Sequence, residues 1–211
     1  MLYAWYLKRV FDVVAATLLA VAFAPAFAIL ALLVRLKLGR PIVFRQPRTG
    51  QNGQSFMMFK LRTMTNERDV AGNLLDDAER LTAFGKFMRS TSLDEIPGVF
   101  NVILGDMSMV GPRPLLVRYL NRYSREQSRR HDVKPGLTGW AQVNGRNAVT
   151  WEERFDMDVW YVDRVGLVLD LRILFLTALK VIRRSDVTSP GHATMPEFWG
   201  TTSREEGRRA A

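Results

Sequence analysis

The chain has no cysteine in its 211 residues. That absence excludes a disulfide framework and any cysteine-ligated metal site, and it fits a cytoplasmic setting. Histidine is almost as scarce: His131 and His192 are the only two, too far apart to offer metal-ligand spacing. No internal repeat is present. Acidic residues are in deficit, 21 against 30 lysines and arginines, leaving a net charge of +9. On charge alone the partner could be nucleic acid, anionic lipid or a phosphorylated substrate. Between Val13 and Val34 there is no charge of either sign.

That uncharged run is long enough to span a bilayer. It is too uniformly apolar for one face of a soluble helix and too long for a secretory signal. Pro25 sits near its middle, where it removes one helical hydrogen bond and crowds the preceding turn. A kinked spanning helix and a helix that breaks and returns are both possible outcomes. Lys8 and Arg9 lie before the run; Arg35, Lys37 and Arg40 follow it. Both flanks therefore favour the cytoplasmic side, which favours a re-entrant helix-break-helix at Pro25.

After the membrane segment, 41–46 reads as a strand and 49–53 as a turn centred on Asn52-Gly53. Residues 55–62 read as the returning strand. Lys60 and Arg62, two apart, share a face of it. Residues 65–77 read as a mobile loop, and 76–89 as a helix with Leu81, Phe84 and Met88 on its apolar stripe. Residues 115–130 read as one basic helix. Its arginines (118, 122, 125, 129 and 130) suit either a solvated face or anionic head groups. Thr150 and Glu153 form a capping box for a helix to about 165. Residues 170–184 read as a buried or surface-lying helix too short to span.

The most informative stretch is 89–114. Arg89 opens it, adjacent carboxylates Asp94 and Glu95 follow, and Gly111-Pro112-Arg113-Pro114 closes it. Groups able to do chemistry are thus bracketed by groups able to hold phosphate. Ser92 with Glu95 also fits a capping box, and Pro97 either starts a helix just beyond the pair or bends its first turn. The run Asp94-Glu-Ile-Pro97, then Asn101 to Pro114, resembles the signature of the bacterial sugar transferases, the monotopic polyprenyl-phosphate phosphoglycosyl transferases. Phe44 to Gly50, Phe59 to Met64 and Lys134 to Arg146 resemble further motifs of that family. The resemblance covers Lys8 to Phe198, departing at Ala24-Pro25, where the family commonly has Ser-Pro. Ala193-Thr-Met-Pro-Glu-Phe198 resembles the small members that act on diacetylated bacillosamine.

The resemblance implies an α+β fold: a small helix-rich domain with a short antiparallel sheet and an N-terminal re-entrant membrane element. Residues 1–38 would form that element, 39–200 the cytoplasmic catalytic domain and 201–211 a disordered tail. It implies transfer of sugar 1-phosphate from a UDP-sugar to undecaprenyl phosphate at the cytoplasmic face of the bacterial inner membrane, with loss of UMP. Asp94 would be the nucleophile and Glu95 its metal-binding or proton-handling neighbour, with Mg²⁺ between carboxylate and phosphate oxygens. Lys60, Arg62, Arg89 and Arg113 would hold phosphates; Gln142 and Arg146 are further phosphate or nucleotide contacts. Asp106, after Gly105, reads as a turn residue before a second metal ligand. Partners are the UDP-sugar, the lipid phosphate and membrane lipid, without nucleic acid; a homo-oligomer is compatible. The rival is a non-enzymatic, basic, membrane-anchored protein that binds nucleic acid or acidic lipid, expected to bind polyanions with strong salt dependence.

Overall fold

The computed structural model describes residue 3 and residues 7–145, 149–183 and 197–200. Its first element is α1, Lys8–Lys37, which runs as α-helix through Pro25 without a non-helical turn. The expected change of direction at Pro25 is therefore not a loop. A proline removes one N–H donor from the helix, and the chain around it stays helical. Among the described residues α1 is the one helix long and apolar enough to cross a membrane, and little of it is buried.

Both ends of α1 are fastened to the same body. Near the start, Lys8 Nζ donates to Asp170 Oδ2 at 2.6 Å, and the hydroxyls of Tyr3 and Tyr161 donate to the same carboxylate at 2.7 Å. Arg9 donates to the carbonyls of Val102 and Ile103, filling acceptors left open where a helix ends. At the other end, Leu30, Val34 and Leu38 pack with Leu61 and Met88. Residues 21–25, between these attachments, are exposed. Lys8 and Arg9, read from sequence as topology-setting charges, are thus also structural tethers.

The antiparallel hairpin is β1, Val43–Thr49, with β2, Ser55–Leu61. Phe44 lies opposite Lys60, and Arg48 opposite Phe56. Asn52 and Gly53 both take positive φ in the connection, 54° and 76°, which explains the Asn-Gly pair there. The single helix expected over 76–89 is two: α2, Asp77–Arg80, and α3, Ala83–Ser90. Leu81 is extended and bridges to Met64, while the Thr82 side chain caps α3 by accepting from Gly85 N–H. Thus an internal cap ends one helix and starts another.

α4, Gly98–Leu104, starts just past the acidic pair with Pro97 at its N-cap. It packs against α1 and β2. Asn101, fully buried, spans α4 and β2: its Oδ1 accepts from Phe59 N–H at 3.0 Å and its Nδ2 donates to Met57 O at 2.8 Å. This fixes the height of β2 beside the acidic turn. Asp106 accepts from Asn101 Nδ2 at 3.2 Å, in keeping with a turn role.

A second, parallel pair joins β3, Ser108–Val110, to β4, Gly136–Thr138. The expected strand over 138–143 is shorter and earlier, because Trp140–Asn144 forms α6. Gly111 donates to Thr138 O, and Gly136 N–H donates to Pro112 O, both at 2.9 Å. A Cβ on Gly136 would lie 2.0 Å from Gly111 N, and one on Gly139 would lie 2.1 Å from Gly111 O. The two glycine-rich motifs therefore interlock backbone to backbone.

The expected basic helix over 115–130 is also broken. A 3₁₀ segment covers Val117–Arg122, α5 covers Arg125–Ser128 with a capping box at Ser124, and a second 3₁₀ turn covers Arg129–His131. Of its five arginines Arg130 is buried, while Arg118 and Arg125 are exposed, and four of the five form ion pairs instead of one free basic stripe. Arg130 is buried on Asp158, Arg118 and Arg122 meet Glu197, and Arg129 meets Glu126 and Asp163. α7, Trp151–Val162, has the expected Thr150–Glu153 capping box. α8, Leu167–Arg183, buries Asp170 and Ile173 while Leu167, Val168, Leu171 and Phe175 are exposed.

Candidate active site

The acidic pair lies in a 3₁₀ turn, Leu93–Glu95, entered through Ser92 in a left-handed conformation with φ 56°. Ser92 makes no side-chain cap, so the capping-box reading of this pair is not realised. Glu95 uses its carboxylate elsewhere. Lys60 Nζ donates to Oε1 at 2.7 Å, and Arg113 donates to Oε1 at 2.5 Å and to Oε2 at 3.3 Å. Burial alone would raise the Glu95 carboxyl, but Arg113 and Lys60 outweigh it and hold it well below the usual carboxylate range.

Asp94, its neighbour, is buried yet takes part in no hydrogen bond or ion pair among the described residues. Burial first, and then the Glu95 charge, push its carboxyl up to about 6, against the opposing pull of Lys60, Arg113 and Arg89. A carboxylate free of donors keeps its lone pairs for another electrophile. One fixed by three donors has little of that capacity left.

Each flanking residue has an identifiable support. Lys60 reaches Glu95 from β2, whose position Asn101 fixes. Arg113 sits in the clamped Gly111–Pro114 turn; its backbone carbonyl accepts from Arg130 at 2.7 Å, and Arg130 is itself bidentate on Asp158 at 2.7 and 3.0 Å. Arg89, in the last turn of α3, donates from its Nε to Thr63 Oγ1 at 3.1 Å, close enough for its charge to act on Asp94.

Two expected contacts are placed differently. Arg62 follows the last residue of β2 and turns its buried guanidinium onto the carbonyls of Leu38 and Arg40, where it ties down the end of α1. It does not share the Lys60 environment, because the strand's alternation ends at Leu61. Gln142, in α6, donates to Leu137 O at 3.4 Å and forms no hydrogen bond with the acidic pair; its Oε1 is buried without a partner among the described residues. Arg146 lies outside the described residues, as do 193–196 of the tail motif; Glu197 and Phe198 of that motif dock on Arg118, Arg122 and an aromatic cluster around Tyr119 and Phe155.

No cluster of three or more carboxylate or histidine ligands occurs among the described residues. The donor set at the site is Asp94, with Glu95 behind it. This is thin for a protein-only cage, but it fits Mg²⁺, which is commonly held by one or two carboxylates with phosphate oxygens and waters completing its shell.

Sequence reasoning missed Asn101, Arg130 and the interlocked glycines. Asn101 and Arg130 fell within stretches that were read for other reasons, and only the pairing of distant segments reveals their role.

Comparison with known proteins agrees with this frame. The family model for bacterial sugar transferases matches residues 3–184. The chain belongs to the bacterial sugar transferase family. It is 50% identical over 195 residues to a Bacillus subtilis (strain 168) protein described as the uncharacterized sugar transferase EpsL, covering 92% of this chain and 96% of that one. It is 40% identical over 185 residues to the UDP-glucose:undecaprenyl-phosphate glucose-1-phosphate transferase of Escherichia coli (strain K12), covering 82% of this chain but 40% of that one. Against the undecaprenyl-phosphate galactose phosphotransferase of Salmonella typhimurium it is 39% identical over 196 residues, 85% of this chain and 41% of the other. The chain thus spans nearly all of the Bacillus protein and about two-fifths of the two enterobacterial enzymes.

Proposed function

We propose that this chain transfers sugar 1-phosphate from a UDP-sugar to undecaprenyl phosphate, releasing UMP, and so begins a membrane-bound glycoconjugate. The observation that carries the reading is Asp94: a buried carboxylate with no hydrogen-bond donor among the described residues, beside a second carboxylate held by two cations. In the first step an Asp94 oxygen attacks the phosphorus that bears the sugar, the phosphoanhydride bond breaks, and UMP leaves with the electron pair. In the second, an oxygen of the lipid phosphate attacks that same phosphorus, the acyl–phosphate bond breaks, and Asp94 returns as carboxylate.

The surrounding charges suit an anionic electrophile. Arg113 and Lys60 stand where charge develops on phosphate oxygens, and their hold on Glu95 keeps them in place before substrate arrives. Arg89 adds a third positive charge beside Asp94. Mg²⁺, held by Asp94 and Glu95, would neutralise phosphate charge further.

The two attachments of α1 support a re-entrant arrangement. A straight spanning helix would send its two ends to opposite faces, yet one body holds Lys8 and Arg9 at the first end and Leu38 at the second. A re-entrant α1 at the cytoplasmic face of the inner membrane accommodates both. It brings a water-soluble nucleotide and a lipid phosphate to one site.

Relatives are named for glucose and for galactose, while Glu197 and Phe198 belong to a motif that leans toward diacetylbacillosamine. A purely polyanion-binding role loses support because Arg118, Arg122, Arg129 and Arg130 already carry carboxylate partners. Nucleotide release from the solubilised protein with Mg²⁺, undecaprenyl phosphate and a panel of UDP-sugars tests the reading: UMP with one donor supports it and identifies the sugar, whereas UDP means plain glycosyl transfer and refutes it.

A further inference from the structure

Two half-buried arginines outside the acidic pair, Arg48 and Arg154, form no salt bridge among the described residues. Arg48 lies near the end of β1, with its Nη2 donating to Gln46 Oε1 at 2.7 Å. Arg154 lies in the first turn of α7, over the Trp151 ring at 5.5 Å. The Nε of each is buried without a hydrogen-bond partner, and neither forms a salt bridge among the described residues. The nearby carboxylates are already committed: Glu95 to Lys60 and Arg113, Asp158 to Arg130, and Glu197 to Arg118 and Arg122.

Both converge on Arg113. The Arg48 backbone bridges Leu116, and Thr49 N–H donates to Leu115 O at 3.0 Å, which seats the end of β1 against the chain leaving Gly111–Pro114. Phe155, next to Arg154, packs with Leu115 and Tyr119 in the same cluster. Burial, and then the charge of Arg113, lower the Arg48 guanidinium to about 10, and the same two causes lower Arg154. Guanidiniums gathered this way repel one another until an anion enters between them, and their planar forks match phosphate oxygens.

We propose that Arg48 and Arg154 form the distal half of a diphosphate clamp, holding the nucleotide's own phosphate while Arg113 attends the phosphate that is transferred. This rests on the reaction read above. The direction of β1 separates the nucleotide from the lipid. The strand starts beside the anchored end of α1, where Ile42 O accepts from Arg62 N–H. Its 7 residues carry the chain about 20 Å away at ~3.3 Å per residue. Arg154 is likewise at the end of α7 opposite Tyr161, which meets Asp170 and, through it, Lys8. A phosphate tethered to membrane lipid arrives at the α1 side. The departing nucleoside monophosphate occupies the other.

The test is UMP binding by calorimetry with steady-state kinetics on full-length protein, for Arg48→Ala, Arg154→Ala and the corresponding lysine variants. Arg45→Ala, on the opposite face of β1, is the control. The clamp predicts a tenfold or greater loss of UMP affinity in both alanine variants, with the lysine variants between them and wild type. The donor KM rises by a similar factor, the KM for undecaprenyl phosphate stays within twofold, and Arg45→Ala matches wild type. Should an alanine variant melt early, its lysine counterpart carries the measurement. Loss of UMP affinity in a protein that transfers no sugar phosphate at all would overturn the reaction and leave the clamp standing. Undetectable UMP binding to wild type, unchanged UMP affinity in the variants, or a rise in the lipid KM alone overturns the clamp.

Discussion

Asp94 and Glu95 are chain neighbours in opposite electrostatic states: Glu95 is locked by Lys60 and Arg113, and Asp94 has no donor among the described residues. The difference comes from a short turn that presents one carboxylate to the β2 lysine and the Gly-Pro-Arg-Pro arginine and leaves the other buried beside them without a donor among the described residues. It separates the roles that the sequence pair Asp-Glu leaves undivided.

Asp94→Asn removes the nucleophile and abolishes turnover, while folding and membrane association persist. Its effect on stability has a definite sign. A carboxyl raised from 3.8 to about 6 contributes stability below its unfolded value and loses it as pH rises through about 6. Above pH 6 the wild type therefore holds an unfavourable buried charge, and the Asn variant melts higher, by at most about 3 kcal/mol. The gain vanishes as pH falls to 4. Thermal melts of both proteins across that range check it.

The same ionisation sets the pH dependence of catalysis. With Asp94 required as carboxylate, kcat/KM in the free enzyme falls about tenfold per pH unit below pH 6. Glu95 is depressed well below the usual range and stays ionised throughout, so one ionisation governs the acid limb. A pH–rate profile with a slope of two there would contradict this division.

Lys8→Met leaves Asp170 buried with only hydroxyl donors. Breaking a buried pair from one side costs about 3–5 kcal/mol, whereas Lys8→Met with Asp170→Leu costs much less. Denaturant unfolding of the single and double variants in detergent measures the difference. Loss of this tether loosens the α1 attachment, so membrane extraction becomes easier in the single variant.

Asn101→Leu deletes the hydrogen bonds to Phe59 N–H and Met57 O and leaves both backbone groups buried. A cost of about 2–4 kcal/mol is expected, with reduced kcat because Lys60 is no longer held at the height of Glu95. Gly136→Ala, whose Cβ would meet Gly111 N at 2.0 Å, is expected to prevent folding. Circular dichroism and melting temperature report both.

Much of this was legible in the chain. The uncharged run, the hairpin around Asn52-Gly53 and the Thr150 capping box are local signals, and each element formed where its own residues direct. The acidic pair and Arg113 were visible as rare residues in a fixed order. What escaped depends on distant segments meeting. The local exceptions are Thr82 and Ser124, whose side chains accept from backbone N–H groups three residues on and so divide the expected helices. Arg62 looked like a partner of Lys60 by strand alternation, but it lies one residue past the strand and answers to the carbonyls of Leu38 and Arg40. Arg130 read as one of a run facing solvent or anionic head groups and is instead buried on Asp158, supporting Arg113. The inference from alternation or composition holds only while the element continues.

The most direct test of the central claim is intact-protein mass spectrometry after incubation with Mg²⁺ and the productive UDP-sugar, without acceptor lipid. The account predicts an added mass equal to one sugar phosphate, mapping to Asp94, lost on adding undecaprenyl phosphate and absent in Asp94→Asn. An adduct on any other residue, or transfer that proceeds at the wild-type rate in Asp94→Asn, would contradict it.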